Sequence, residues 1–370
     1  MRRLFPAVLT IALTAALVAP AGAAPPAPPD GIGPWDVGYV TVEMVDPSRD
    51  DRTLPVDVWY PVDAEDAVAP PAELDLFVTT LALDHAQADP DPSAAGRFPL
   101  VVFSHGSGGF RAQSWTLLES LASQGFVVVA PDHVGNTALD DLFGTRDPSE
   151  VIAANRPRDI SFVIDEVAGW AADPTSRYGA VIDPQRIGVA GHSFGGFTAL
   201  AVAGGFDDYT ADPRVDAIMP IAAAAGGLSD DELAAISVPT FLLSGTDDVT
   251  VPLANTVRAW GLISTKEAYR ADVIAGGHNS FTNVCDLVGI LIDAGLPPVL
   301  LDFLIASAEE GCSPDLIDID EAQRIQVLYA TSFFRSTLGP DSRYQQYLTP
   351  RYADRADLDV DWFSRRGPQR

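Results

Sequence analysis

A β-branched apolar run that breaks abruptly into glycines does more than any other stretch to limit how this chain can fold. Residues 186–196 read Arg-Ile-Gly-Val-Ala-Gly-His-Ser-Phe-Gly-Gly. A buried strand ending this way must turn at once into the small residues that open a helix, and so sharp a turn leaves no room for a Cβ at Gly191 or Gly195. Its apex, Ser193, is held in strained backbone clear of the sheet edge, which makes it a candidate nucleophile. Gly-x-Ser-x-Gly also occurs in unrelated turns, so its meaning rests on what else the chain carries.

Three further loops carry chemistry. Of the five histidines, His85, His105, His133, His192 and His278, only His278 follows Ser193. It lies in Ala275-Gly-Gly-His-Asn-Ser-Phe281, directly after the strand-like run 270–274. A histidine on a glycine-flanked loop at a strand's end is poorly explained as core packing. Between it and the serine, Val238-Pro-Thr-Phe-Leu-Leu-Ser-Gly-Thr-Asp-Asp-Val-Thr-Val-Pro252 reads as a buried strand ending in a loop with two adjacent aspartates, Asp247 and Asp248. Pattern alone does not separate them. Earlier, Phe98-Pro-Leu-Val-Val-Phe-Ser-His-Gly-Ser-Gly-Gly-Phe110 is an apolar strand followed by a glycine-rich turn, with a helix starting near Arg111. Such a turn can aim backbone N–H groups at an anion. The glycine spacings of phosphate-binding loops are absent from it.

With these motifs in order over 98–281, the chain resembles secreted serine esterases of the α/β-hydrolase superfamily, dienelactone-hydrolase-like and platelet-activating-factor-acetylhydrolase-like. Asp46-Pro-Ser-Arg49 and Arg52-Thr-Leu-Pro-Val-Asp-Val-Trp-Tyr-Pro61 add to the likeness. The resemblance implies an α/β fold with a mostly parallel central sheet flanked by helices, and the chain order nucleophile, acid, histidine. That order makes His278 the general base. It favours Asp248 as the acid, with Asp247 as the alternative, and an oxyanion hole formed by the N–H groups of Phe194 and Ser107. His105-Gly106 is similar to the His-Gly pair of the oxyanion loop, where His105 orients the loop and is not a base. Two departures matter. Dienelactone hydrolases carry cysteine where this chain has Ser193. The acetylhydrolases place their acid one strand earlier, where Val215–Gly226 ends without an aspartate, so the acid sits as in cutinase-like polyester hydrolases. The resemblance transfers no substrate. It implies no cofactor and no metal, in keeping with the lack of His and Cys at zinc-binding spacings.

Arg2 and Arg3 precede an apolar run, Leu4 to Val18, that leads to Ala21-Gly-Ala23 and a proline-rich Pro25 to Pro29. This reads as a secretory signal peptide over 1–23, cleaved after Ala23. The run is shorter than the roughly 20 residues of a spanning helix, so no transmembrane anchor is expected. In an exported chain the only two cysteines, Cys285 and Cys312, are expected to form one disulfide. A loop of that size stabilises the fold by roughly 3 kcal/mol in the chain-entropy model. The 23 basic and 51 acidic residues leave a formal charge of −28, and no basic stripe with interleaved aromatics offsets it, which argues against nucleic acid as a partner.

Apolar strand-like runs recur at 37–45, 54–60, 99–104, 125–130, 187–191, 215–221, 238–244 and 271–274. Helical patterns at 112–123, 157–172 and 196–204 fall between the later ones, in the alternation of a parallel sheet. The first two read as antiparallel edge strands. The Pro- and Asp-rich stretch 62–97 reads as a surface loop with one short helix. Residues 24–370 are expected to form one hydrolase domain. Within it, 286–305 reads as two short apolar helices, inside a disulfide-closed segment over 279–315 that either caps the site beside His278 or packs on the core. A core-packing helix at 319–337 and a disordered tail at 365–370 complete the reading.

The expected activity is hydrolysis of a carboxylic ester, on a small-molecule, lipid or polymer substrate, through an acyl-enzyme on Ser193. The alternatives are a secreted peptidase or amidase using the same residues, and a non-catalytic binding protein on a hydrolase scaffold. Acyl-chain length and oligomeric state are not encoded in any motif.

Overall fold

The computed structural model describes residues 26, 28–297, 301–339 and 341–366; the expected signal peptide lies outside them. Eleven strands form one sheet: β1 (Asp36–Asp46), β2 (Arg52–Val62), β3 (Pro71–Asp75), β4 (Thr80–Ala88), β5 (Phe98–Ser104), β6 (Val127–Pro131), β7 (Ile182–His192), β8 (Val215–Ile221), β9 (Thr240–Gly245), β10 (Glu267–Val273) and β11 (Val360–Arg366). Their order is β11-β10-β9-β8-β7-β5-β6-β2-β1-β4-β3. The six strands from β10 to β6 pair in parallel, and β2 and β11 join antiparallel on either side.

The parallel strands are continuous apolar runs because both faces are covered. Period-2 alternation sends Val101 and Phe103 of β5, with Val128 and Ala130 of β6, into one core. Leu100, Val102, Val127 and Val129 enter the other. Helices α1 (Trp115–Ser123) and α9 (Ile319–Thr337) cover the first face through Leu118, Leu121, Leu328 and Phe333, whereas α3 (Ser149–Ala172) and α4 (Phe194–Gly204) cover the second through Ile160, Ile164, Phe197 and Leu200. Every strand that carries a candidate functional loop therefore ends at the same edge of the sheet.

Several expectations are corrected. The stretch 62–97 holds no helix; it contains the antiparallel pair β3–β4, with β4 parallel to β1. Ala72 and Leu74 alternate inward among acidic neighbours, a period-2 signal masked by prolines, of which Pro71 occupies the first strand position, where proline is tolerated. Helix α3 begins at Ser149, ahead of Pro157, which lies inside it. Residues 365 and 366 are not a tail, since β11 pairs with β10 and seats Trp362 against Phe241, Tyr269 and Tyr329; residues 367–370 lie outside the described part. Between them, α9 is followed by a 3₁₀ turn (Ser342–Tyr347) and α10 (Pro350–Arg355) before the chain reaches β11.

Beyond β10 the chain forms α7 (Val284–Asp293) and α8 (Asp302–Cys312), joined by the Cys285–Cys312 disulfide. Leu287 and Leu291 enter the first core, and Leu287 and Leu304 line the cleft beside His278. Among the described residues, no helix is long and apolar enough to cross a membrane.

Candidate active site

Ser193 stands alone between the end of β7 and the start of α4, at φ 58° and ψ −115°. This is a left-handed backbone that a residue with a Cβ adopts only when its surroundings impose it. They do so here. The Ser193 N–H donates to the Ile221 carbonyl of β8 at 2.8 Å, and its carbonyl accepts from Phe197 and Ala224, both at 3.1 Å. A Cβ at Gly195 would run into the Ser104 carbonyl, and one at Gly191 into the Gly195 carbonyl. The turn is as tight as its glycines imply.

The His278 loop follows β10 and the aspartate loop follows β9. His278 Nε2 lies 2.9 Å from Ser193 Oγ, and His278 Nδ1 lies 2.8 Å from Asp248 Oδ2. A carboxylate can only accept, so Nδ1–H donates to Asp248 and Nε2 is left to accept the serine proton. Asp248 is buried and also accepts from the Val251 N–H at 2.6 Å. Asp247 is exposed, with its carboxylate taking the Thr246 hydroxyl. The fold thus brings Asp248, and not Asp247, to the imidazole.

The glycine-rich loop after β5 faces Ser193 across a cleft of about 450 Å³, lined among others by Gly106, Ser107, Phe77, Phe110, Leu287 and Leu304. The Gly106 N–H is taken by Gln113 Oε1 at 2.9 Å. Among the described residues nothing accepts from the Ser107 N–H, and the Ser107 hydroxyl accepts from Asn136 at 3.1 Å and Arg146 at 2.6 Å. Phe194 is the first residue of α4, where an N–H has no partner within its own helix. The two amides expected at an oxyanion hole therefore flank the serine with no acceptor inside either element.

The other histidines are committed elsewhere. His192 donates Nε2–H to the His278 carbonyl at 2.8 Å, while its Nδ1 lies 3.2 Å from Gln113 Nε2. Burial, then the neighbouring His278, pulls it down to about 3. His105 is enclosed, with Nδ1 bonded to the Gly106 carbonyl at 2.7 Å and Nε2 accepting from the His133 N–H at 3.0 Å. Burial holds it well below the usual range, so its ring is neutral and braces the loop between Gly106 and His133. Sequence reasoning missed Gln113, which ties the loop to His192, and the buried set Asn136, Arg156, His133 and Asp159 beneath the loop. No motif signals these; residues from α3 meet the end of β5 only through the fold.

Residues 72–155 match the family described as platelet-activating factor acetylhydrolase, isoform II. That span includes the glycine-rich loop and stops short of Ser193. A chlorophyllase type 0 of Chenopodium album is 30% identical over 146 residues, 38% of this chain and 38% of that protein's length. The ferulic acid esterase of Streptomyces cinnamoneus superposes with a TM-score of 0.62 at 28% identity, covering 89% of this chain and 96% of that one. The mostly parallel sheet flanked by helices is that of the α/β-hydrolase fold, and these likenesses support a carboxylesterase.

Proposed function

We propose that the protein is a secreted carboxylic ester hydrolase acting by two-step acyl transfer to water. Ser193 Oγ attacks the ester carbonyl as His278 takes its proton, Asp248 orients the imidazole and stabilises its positive charge, and the Ser107 and Phe194 amides hold the oxyanion. His278 then protonates the departing alcohol, and water activated by the same imidazole releases the acid. The observation that carries this reading is the unbroken relay Asp248–His278–Ser193, ending on a strained serine that opens into a cleft.

The cleft's apolar lining, with Phe77, Phe110, Leu287 and Leu304, suits a short-to-medium acyl chain or an aryl group presented by a small, lipid-like or polymeric ester. Residues 24–370 act as one hydrolase domain, with 279–315 as its cap and 1–23 removed on export. The test is the initial rate on p-nitrophenyl esters from acetyl to palmitoyl, beside labelling by a fluorophosphonate. A rate that rises and falls along the series, with stoichiometric labelling of Ser193, supports the reading. Labelling without ester turnover would transfer the weight to a peptidase, and neither would leave a binding protein. Mass analysis of protein secreted by its host tests the start at Ala24.

A further inference from the structure

We propose that Arg156 is a positioning residue for the oxyanion hole, one buried cation that fixes both of the amides meant to hold the developing charge. The proposal rests on the esterase reading above.

Arg156 lies on α3 and is 0% exposed. Burying a guanidinium is costly unless its donors are satisfied, and here the partners are mostly pieces of the glycine-rich loop. Nη1 donates to the His105 carbonyl at 2.6 Å and Nη2 to the Gly106 carbonyl at 2.9 Å. Nη1 also reaches Ser104 Oγ at 3.3 Å, and Nε and Nη2 both donate to Asn136 Oδ1, at 3.0 and 2.6 Å. Among the described residues no carboxylate bonds it directly. Burial pulls it down to about 9, and the nearby Asp159 opposes that pull, so it keeps its charge at neutral pH.

The Gly106 carbonyl and the Ser107 N–H belong to one planar trans peptide and point in opposite directions. Drawing the carbonyl down onto Arg156 therefore turns the Ser107 N–H up, toward the cleft. A peptide whose carbonyl accepts from a cation is also polarised into a stronger donor at its N–H. The same reasoning accounts for the peptide before it, with the His105 carbonyl on Arg156 and the Gly106 N–H on Gln113. On its other side the guanidinium carbon sits 5.1 Å from the centre of the Phe194 ring, a cation–π distance. Phe194 carries the second amide. Asn136 closes the clamp by donating to Ser107 Oγ while holding Arg156.

The experiment compares full-length wild type with Arg156→Lys, Arg156→Met and Asn136→Ala, taking kcat per site titrated by a fluorophosphonate so that misfolded protein is not counted. Displacing an oxyanion donor costs about 10²-fold or more in kcat. Arg156→Met is expected to lose about that much, Arg156→Lys less, each with KM within about threefold of wild type. Affinity for an alkylboronate, whose tetrahedral adduct occupies the same hole, should fall by the same factor as kcat/KM. A kcat per site within about threefold of wild type in Arg156→Met, or unchanged boronate affinity alongside a fallen kcat/KM, overturns the proposal. If neither Arg156 variant folds, Asn136→Ala decides. A fall of about tenfold in kcat per titrated site at constant KM supports the clamp, and no fall overturns it. Wild type that neither turns over esters nor takes the label brings down the esterase reading itself; active wild type with unaltered variants brings down the clamp alone.

Discussion

The described residues hold two serine–histidine–aspartate relays, and their contrast explains what hydrogen-bond geometry can and cannot signify. In the cleft, Asp248, His278 and Ser193 are linked at 2.8 and 2.9 Å. Beneath the glycine-rich loop, Asp159, His133 and Ser104 are linked at 2.9 and 2.8 Å. By distance the two are interchangeable. Ser104, however, is 0% exposed in a regular strand and His133 only 1% exposed, so no substrate reaches them. Asp159 also takes Arg49 at 2.6 Å and Arg52 at 2.8 Å. Burial pushes its carboxyl up, but the bonds from His133 and Arg52 outweigh this and hold it well below the usual range. Asp159 is the centre of a charge cluster, whereas Asp248 serves one imidazole and one amide. Access, backbone strain and a carboxylate free of competing cations separate the relay in the cleft from the buried one.

The largest effect that could break this contrast lies at the serines. Ser193→Ala is expected to lower kcat by at least about 10⁴ with Tm unchanged. Ser104→Ala should retain kcat within about tenfold and lose about 1–3 kcal/mol of stability, because His133 Nε2 is left buried without a partner. Ester kinetics beside thermal melts distinguish them, and an equally dead but folded Ser104→Ala would erase the distinction.

A second comparison lies within the cleft relay. Asp248→Asn should cost about 10⁴ in kcat, as when a triad acid no longer fixes the imidazole tautomer, and Asp247→Asn close to nothing. Equal losses would reassign the acid.

The smallest effect is on pH stability and belongs to the buried relay. Burial, then the charge of Arg156, pulls His133 down to about 4 despite its bond to Asp159. A histidine whose folded value is depressed contributes fully above its unfolded value near 6.5 and loses that contribution as pH falls toward 4. Stability should drop by up to roughly 3 kcal/mol across that window. His133→Gln should flatten the drop in denaturant titrations; an unchanged slope would assign the acid sensitivity to His192 or His105.

What was readable in advance follows from the range of each interaction. Parallel strands such as Leu100–Phe103 and Ile187–Ala190 are visible because burial on both faces forces unbroken apolar runs. The turn at Ser193 is visible because only glycine fits beside it. Strand β3 was hidden because two inward residues among acids and prolines make too short a period, and β11 because its partner lies far back in the chain. Asp247 and Asp248 look alike by pattern; the resemblance favours Asp248, and it is the one the loop buries against His278. The Arg156 cluster was illegible for the same reason: an arginine on a helix reads as a solvated surface residue until the fold sets a loop on top of it.

The disulfide-linked pair α7–α8 has a consequence for changing what the enzyme accepts. Asn279, next to His278, bonds through its N–H to the Glu310 carbonyl and through its side chain to the Ser307 carbonyl, both at 3.0 Å, and Ser280 bonds the Gly311 carbonyl at 3.3 Å. The helix that walls the cleft is thus also the scaffold of the histidine loop. The cleft wall and the histidine loop are one mechanical unit here, so a transplanted α7–α8 pair would need to bring its own footing for the histidine, and libraries aimed at substrate range should spare the backbone of 307–311 while varying Leu304 and Leu287.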